Sequence, residues 1–402
     1  MRRSRWYARF RWPLLLGAAA MPFALMEGGP QLLHNQTAPV VDGIALAYEG
    51  RYSRHPEFPR LVAEAGVLRR RALAQVEDRL GLVPRNPERI IVRFADGLMP
   101  DEPVATRRTR YLNGRTVEML TVYLEPLLLG VVDLERVLTH EMIHAAMRDR
   151  MGAPYERLPQ WLREGAATWG AGQLEEKAAV LIAGKAFARQ DPATLIDGLD
   201  TEPHAMDDYF EDAMFFRFLE KTGGTGAARR AIQGVVEGRP YRRAFEDAAG
   251  ASWESLQADA EAFARASIQD ALAASGFEMY RRASERYFAE DYEGALAELD
   301  AFTRARPDSW LAPNALFLAA SARMMLERPA EAVPDLARVV ESFPSYYYLI
   351  DDAQYRLSIA LIRSGDLERG NAALTRFLND FTFANAPLRS DAAGLIAGAA
   401  CE

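Results

Sequence analysis

The spacing of apolar residues divides the chain into a short strand-rich part and a long helical part. Between residues 59 and 82 apolar residues recur at steps of three and four, which predicts an amphipathic helix. Three consecutive arginines, 69–71, fall in this helix and are expected on its solvated face. β-branched residues predict strands at 44–48 and 89–94. Strands followed by helices are typical of an α+β fold.

A β-hairpin is predicted next. Asn113-Gly114 lies between two β-rich stretches, 106–112 and 115–124, and Asn-Gly is the common two-residue hairpin turn because both residues tolerate positive φ. Three arginines beside this turn fit two interpretations, contact with an acidic group of a substrate or a solvated hairpin edge. They are Arg107, Arg108 and Arg110.

Two helices follow the hairpin. Asp133 is a candidate N-cap for a helix that reaches about Arg150, and Gly152 comes directly after it. Pro159 is suited to begin another helix, because its fixed φ suits the first turn, and Gly170 and Gly172 are expected to end it.

The last third of the chain has a loose internal repeat. Similar turn-and-helix segments occur at 291–296, 327–333 and 365–370, and their corresponding small residues (Ala295, Ala332 and Gly370) are 37 and 38 residues apart. Such periods predict stacked helix pairs. The segments resemble the tetratricopeptide-like repeats of bacterial envelope proteins, which implies a repeat domain at 276–402, separable by proteolysis near 273–276. An irregular helical domain is the alternative. The tyrosines at 346–348 could line a peptide groove there, or pack between helices.

The N-terminus has the outline of an export signal. Its first eleven residues contain five arginines, and an apolar run that Pro22 interrupts follows at about 14–26. The run is short for a membrane span, so residues 1–26 fit a cleaved signal peptide or an uncleaved anchor. Either predicts a protein of the periplasm or cell envelope, with membrane attachment only through the N-terminus. Residues 27–84 would be a linker and an N-terminal helix.

Composition and charge narrow the possible functions. The net charge is −8, whereas a nucleic-acid-binding protein needs a basic surface, so no nucleic-acid partner is expected. The one cysteine, Cys401, can form neither an internal disulfide nor a cysteine-based zinc site. Any metal site must therefore use His, Asp or Glu.

The candidate chemistry begins with His140-Glu141-Met142-Ile143-His144. On a helix, residues four apart share a face, so both imidazoles can reach one ion. Zinc binds neutral imidazole nitrogens and keeps a position for water at catalytic sites, and Glu141 can accept the proton of that water. The chain has only five histidines, and two of them occur in this one five-residue motif. An isolated histidine packed in a core, the usual alternative, would not show such a pair.

A third ligand is predicted 20 residues after His144, at Glu164 in the segment Leu-Pro-Gln-Trp-Leu-Arg-Glu-Gly-Ala-Ala (158–167). Two antiparallel helices can bring this carboxylate against the histidines, and two His with one Glu form the thermolysin ligand set. With these motifs the chain resembles the gluzincin metallopeptidases, and within them the peptidase MA-like domains. The resemblance covers about 85–267, and implies a thermolysin-like zinc domain at 85–270.

The resemblance also implies roles for residues beyond the two motifs. The segment 209–223 is similar to the family's next helix, which makes Tyr209 the candidate stabiliser of the transition state, with His204 as an alternative. Some gluzincins place an acid four positions after the third ligand to orient a zinc-bound imidazole. This chain departs from that pattern, because the position is Thr168.

The function expected from these features is zinc-dependent peptide hydrolysis, with a peptide or protein substrate and Glu141 as general base. The repeats are expected to recruit a protein partner or substrate. One alternative is an envelope scaffold that acts through its repeats and whose zinc domain is catalytically silent. Another is the group of envelope peptidases that also carry repeats, although these usually place the third ligand much further along the chain.

Overall fold

A five-stranded mixed sheet forms the first part of the protein. In this computed structural model the described residues are 40–45, 50–96, 105–112, 115–196, 209–382, 384 and 386–399. The strand order is β1-β2-β3-β5-β4, in which β1–β2 and β4–β5 pair antiparallel and the other two pairs are parallel. The strands are β1 (Val40–Val41), β2 (Ile44–Ala45), β3 (Ile90–Ala95), β4 (Ala105–Leu112) and β5 (Arg115–Tyr123).

Helices make up most of the remaining described chain. Up to residue 275 they are α1 (Phe58–Leu80), α2 (Leu124–Leu128), α3 (Leu134–Met151), α4 (Gln160–Gly170), α5 (Leu174–Phe187), α6 (Tyr209–Gly223), α7 (Ala227–Val236), α8 (Tyr241–Ala249) and α9 (Trp253–Ser275). From residue 277 they are α10 (Phe277–Phe288), α11 (Tyr292–Ala305), α12 (Ala312–Met325), α13 (Pro329–Ser342), α14 (Tyr347–Arg363), α15 (Leu367–Asp380) and α16 (Ala386–Ala399).

The predicted strands and the first helix are present, with small shifts at their ends. Helix α1 ends at Gly81, whose φ of 64° is the left-handed conformation of a glycine C-cap. Strands β4 and β5 pair antiparallel as the hairpin requires, and the turn residues 113–114 lie outside the described part. The strand expected at 44–48 is described only over Ile44–Ala45.

The prediction of a solvated face for all three arginines at 69–71 is wrong for Arg69. Its side chain is only 6% exposed, and its guanidinium donates to the carbonyl oxygens of Pro87 and Ile90, at 3.0 Å for the latter. The residue thus ties α1 to the start of β3, and burial lowers the pKa of its guanidinium. A helical pattern cannot reveal this role, because the backbone carbonyls that receive the arginine come from another part of the chain.

An aromatic cluster anchors α4 to the helices behind it. Trp161 is 1% exposed, and its ring lies 5.2 Å from that of Phe215 on α6 and 5.8 Å from those of Phe245 and Trp253, centroid to centroid. Such aromatic pairs add to the free energy gained by burying their area. The cluster therefore fixes the position of the helix that carries Glu164.

The C-terminal helices form consecutive pairs. The second helices of three pairs begin at Tyr292, Pro329 and Leu367, which reproduces the 37- and 38-residue spacing of the sequence. Among the tyrosines at 346–348, Tyr346 is buried and Tyr348 donates a hydrogen bond to Asn314, so these two pack between helices rather than line an open groove. The assignment of these C-terminal helix pairs as tetratricopeptide-like repeats stays a prediction.

Helix α5 connects the two parts of the molecule. Val180, Ala183 and Ala186 belong to the same buried cluster as the repeat helices, and Asn314 of α12 donates a hydrogen bond of 2.8 Å to the carbonyl of Ala183. All described residues fall within one compact unit, 38–402. The domain boundary near residue 276 stays a prediction.

The export signal predicted at 1–26 lies outside the described residues. Within the described part of the chain, every helix is too short or too polar to span a lipid bilayer.

Candidate metal centre

Helix α3 places both histidines on one buried face. It begins at the predicted N-cap, where the Asp133 carboxylate accepts a hydrogen bond of 2.9 Å from the backbone N–H of Arg136. His140 and His144 lie one turn apart, and their residues are 9% and 6% exposed. Their Nε2 atoms are 3.1 Å apart, so both rings point at the same space.

Helix α4 brings Glu164 to that space. Its Oε2 atom lies 3.3 Å from Nε2 of His140 and 3.3 Å from Nε2 of His144. The next residue, Gly165, lets α4 approach α6 closely, because a Cβ at this position would lie 2.8 Å from the backbone oxygen of Asp212. The glycine of the Glu-Gly pair therefore has a packing role beside the predicted metal-binding role of its neighbour.

The geometry of the three ligand atoms suits zinc. Zinc bound at about 2.0–2.1 Å with tetrahedral angles requires its ligand atoms to lie about 3.3 Å from one another. The three separations here are 3.1, 3.3 and 3.3 Å, among one carboxylate oxygen and two imidazole nitrogens. Within the described residues, His140, His144 and Glu164 form a cluster of three side chains that could hold a metal ion. The residues present thus fit the ion that the sequence predicts.

Each imidazole is held at its other nitrogen. Nδ1 of His140 lies 3.1 Å from Oε1 of Gln173, and because an amide oxygen only accepts hydrogen bonds, Nδ1 carries the proton. Neutral His140 then has its lone pair on Nε2, as metal binding requires. Nδ1 of His144 lies 2.8 Å from the hydroxyl of Tyr155, which is itself 1% exposed.

Burial and charge favour the protonation states that a metal needs. Burial lowers the pKa of His140 below the usual 6.5, which favours the neutral imidazole. Burial alone would raise the pKa of Glu164, but its proximity to the two imidazoles holds this pKa well below 4.5. The centre therefore presents an anionic carboxylate beside a neutral His140.

Tyr209, one of the two predicted catalytic residues, experiences the charges of both Glu164 and Glu141, the other predicted catalytic residue. Glu141 is partly exposed on α3. Burial raises the pKa of the Tyr209 hydroxyl, and the charges of Glu164 and Glu141 raise it further. Tyr209 begins α6 and forms a side-chain hydrogen bond with Gln160 at the start of α4. His204, the alternative to Tyr209, lies outside the described residues.

Three residues of the centre were not predicted from the sequence. Tyr155 belongs to a short 3-10 helix, Ala153–Arg157, whereas Gln173 and Lys177 are at the start of α5. Thr168, the position where some gluzincins have an orienting acid, is fully buried. The side-chain amide of Gln173, nine residues after Glu164, contacts the His140 imidazole in place of such an acid. No simple sequence pattern identifies an amide in this role.

The function of this chain has to be inferred from the candidate metal centre, because comparison with known proteins finds no match. No protein-family model, no curated protein and no solved structure matches this chain.

Proposed function

We propose that the protein is a zinc-dependent peptidase with His140, His144 and Glu164 as the metal ligands. The observation that carries this proposal is the ligand triangle, with sides of 3.1, 3.3 and 3.3 Å, on two helices whose sequences have the gluzincin motifs. Two histidines and one glutamate leave the fourth position of a tetrahedral zinc ion for water or substrate, which is the arrangement of catalytic sites rather than structural ones.

Zinc bound in such a site acts as a Lewis acid and makes water nucleophilic near neutral pH. Glu141 lies beside the first ligand but about 100° round the helix, so it can serve as a base while His140 binds the metal. In this mechanism its carboxylate accepts a proton from the attacking water and passes it to the leaving amine.

The wider assignment follows from the same proposal. The substrate would be a peptide or protein, and the helix pairs after residue 276 would bind a protein partner or the substrate itself. The arginine-rich N-terminus would direct the protein to the periplasm or cell envelope.

The test is the substitution Glu141→Gln, which keeps the shape of the side chain and removes the base. We expect the variant to bind zinc and fold as the wild type does, and to cleave peptides about 10²–10⁴-fold more slowly. Glu135→Gln is the control, because Glu135 lies on the same helix and contacts Gln75 rather than the ligands. Its rate should equal that of the wild type.

Rates are measured with a fluorogenic peptide library on the zinc-loaded protein. Equal cleavage by Glu141→Gln and wild type would contradict the mechanism. Absence of cleavage by a zinc-loaded, folded wild type across the library would favour the scaffold interpretation, in which the repeats alone carry the function.

A further inference from the structure

Lys177 lies beside the candidate metal centre with no assigned role. It is four residues after Gln173, the residue that contacts His140, so both side chains are on the same face of α5. The ammonium of Lys177 lies 5.0 Å from the centre of the Tyr209 ring. A cation over an aromatic face is attracted to it, which orients the lysine without neutralising its charge.

The charges around Lys177 come from four helices, α3, α4, α5 and α6. Burial lowers its pKa to about 8, and four acids oppose this by raising it: Glu164 of α4, Glu176 of α5, Asp212 of α6 and Glu141 of α3. Without a bound metal, a pKa of about 8 keeps the ammonium mostly protonated at neutral pH. These acids therefore favour a cation next to the candidate metal ligands.

This ammonium has no ion-pair partner in the described chain. Its contact is the ring of Tyr209, and no carboxylate of the residues that the structure describes pairs with it. Lys177 is partly buried, and a charge that loses water without gaining a counterion is costly. The comparable lysine of α6, Lys221, lies 4.7 Å from the ring of Phe263 but is exposed, so water solvates its charge.

We propose that Lys177 binds a negatively charged oxygen of the substrate beside the metal centre, a role that rests on the proposed peptidase function. Two sources share this chemistry. One is the oxyanion formed when water adds to the scissile carbonyl carbon and the C=O electron pair moves to oxygen. The other is a carboxylate that the substrate carries near the scissile bond.

The oxyanion exists only until the C–N bond breaks, when the C=O bond re-forms and the amine leaves with the proton that Glu141 returns. Lys177 keeps its proton throughout, so it would stabilise charge without taking part in proton transfer. The ring of Tyr209 would act as a positioning platform for the ammonium, in addition to any contact of its hydroxyl with substrate.

Removal of the Lys177 charge distinguishes the two sources of the negatively charged oxygen. Lys177→Met keeps the length of the side chain and removes the charge, and Lys221→Met removes a comparable cation–π contact about 18 Å away along α6. Rates are measured on a neutral fluorogenic peptide that the wild type cleaves and on the same peptide with a glutamate beside the scissile bond. A fall in kcat of about 10²–10³-fold on both peptides identifies the oxyanion. A rise in KM confined to the acidic peptide identifies the carboxylate.

A second measurement needs no turnover. Inorganic phosphate, titrated calorimetrically into zinc-loaded protein, should bind Lys177→Met about 10-fold or more weakly than wild type. Lys177→Arg should retain part of the affinity, and Lys221→Met all of it. This readout remains usable if the wild type cleaves no peptide, a result that would refute the proposed function alone. Equal phosphate affinity of wild type and Lys177→Met, or no phosphate binding by the wild type, would overturn the proposal for Lys177.

Discussion

At the scale of single residues, the orientation of the two imidazoles depends on neighbours that bind no metal themselves. Oε1 of Gln173 accepts a hydrogen bond from Nδ1 of His140, and the Tyr155 hydroxyl lies 2.8 Å from Nδ1 of His144. Such contacts fix the tautomer and direction of each ring before a metal arrives. The affinity of the centre should therefore depend on these residues as well as on its ligands.

Tyr155→Phe tests this dependence, because it removes the hydroxyl and keeps the buried ring. We expect zinc to bind about 10–100-fold more weakly, measured by competition with a chromophoric chelator. Tyr346→Phe is the control, since its hydroxyl bonds to the carbonyl of Trp310 in the repeats. Unchanged zinc affinity in Tyr155→Phe would show that the hydroxyl does not orient His144.

The cluster of His140, His144 and Glu164 could be predicted from the sequence, and the residues that contact its imidazoles could not. His140 and His144 are identified by spacing on one helix, and Glu164 by its own motif. Gln173 and Lys177 begin a helix with no distinctive pattern, and they reach the centre only because α5 packs beside α3 and α6. Arg69 was misassigned for a similar reason, as its partners come from a separate strand.

At the scale of elements, the close contact of α4 with α6 depends on one glycine. A methyl group at Gly165 would meet the side chain and the backbone of Asp212 at 2.8–2.9 Å, so the helices would have to move apart. Because Glu164 is the adjacent residue, that movement would also displace its carboxylate from the two imidazoles.

Gly165→Ala should lower the free energy of unfolding by about 1–3 kcal/mol, the usual cost of overpacking, and should weaken zinc binding. The control is Gly184→Ala in α5, where an added methyl would meet only the Tyr348 ring, at 3.4 Å. Urea unfolding and zinc competition report the two effects. A Gly165→Ala protein as stable as Gly184→Ala would contradict the inferred close packing.

The positions of helices and strands could be predicted where they depend on nearby residues, through the spacing of apolar residues and through capping residues. Asp133, Gly81 and Gly152 mark helix ends that the structure reproduces. The parallel pairing of β3 with β5 was not predicted, because strand order depends on contacts between segments distant in the chain. Nor does periodicity reveal that α5 packs against the repeats.

At the scale of the whole molecule, a buried carboxylate joins the sheet-containing part to the last repeat. Glu125 of α2 is 1% exposed and accepts hydrogen bonds of 2.7 Å from the Tyr52 hydroxyl and from the backbone N–H of Thr382. The Thr382 hydroxyl bonds to the same carboxylate. This contact joins residues 257 apart in the chain.

Glu125→Ala should destabilise the protein, because it leaves the Tyr52 hydroxyl and the Thr382 N–H without their acceptor. Each such loss costs about 1–3 kcal/mol when the group is buried. Glu125→Gln, which keeps one acceptor oxygen, should lose less. Glu278→Ala is the surface control, with an expected loss below about 1 kcal/mol in urea unfolding. Equal stability of Glu125→Ala and the control would show that the junction contributes little.

The same contacts bear on the predicted boundary near residue 276. Only Gly276 separates α9 from α10, and α5 shares a buried cluster with the repeat helices. The repeat period was readable from the sequence because each helix pair packs locally. How much the repeats stabilise the rest of the protein depends on contacts between distant segments, and such contacts leave no periodic pattern in the sequence.

The X-ray absorption spectrum of the zinc-loaded protein reports directly whether His140, His144 and Glu164 hold one zinc ion. We expect about one zinc per chain, with two imidazole nitrogens and carboxylate oxygen at about 2.0–2.2 Å. In His144→Ala the imidazole scattering should fall to that of one ring. A wild-type protein that binds no zinc, or a zinc spectrum without imidazole scattering, would show that these residues do not form a zinc site.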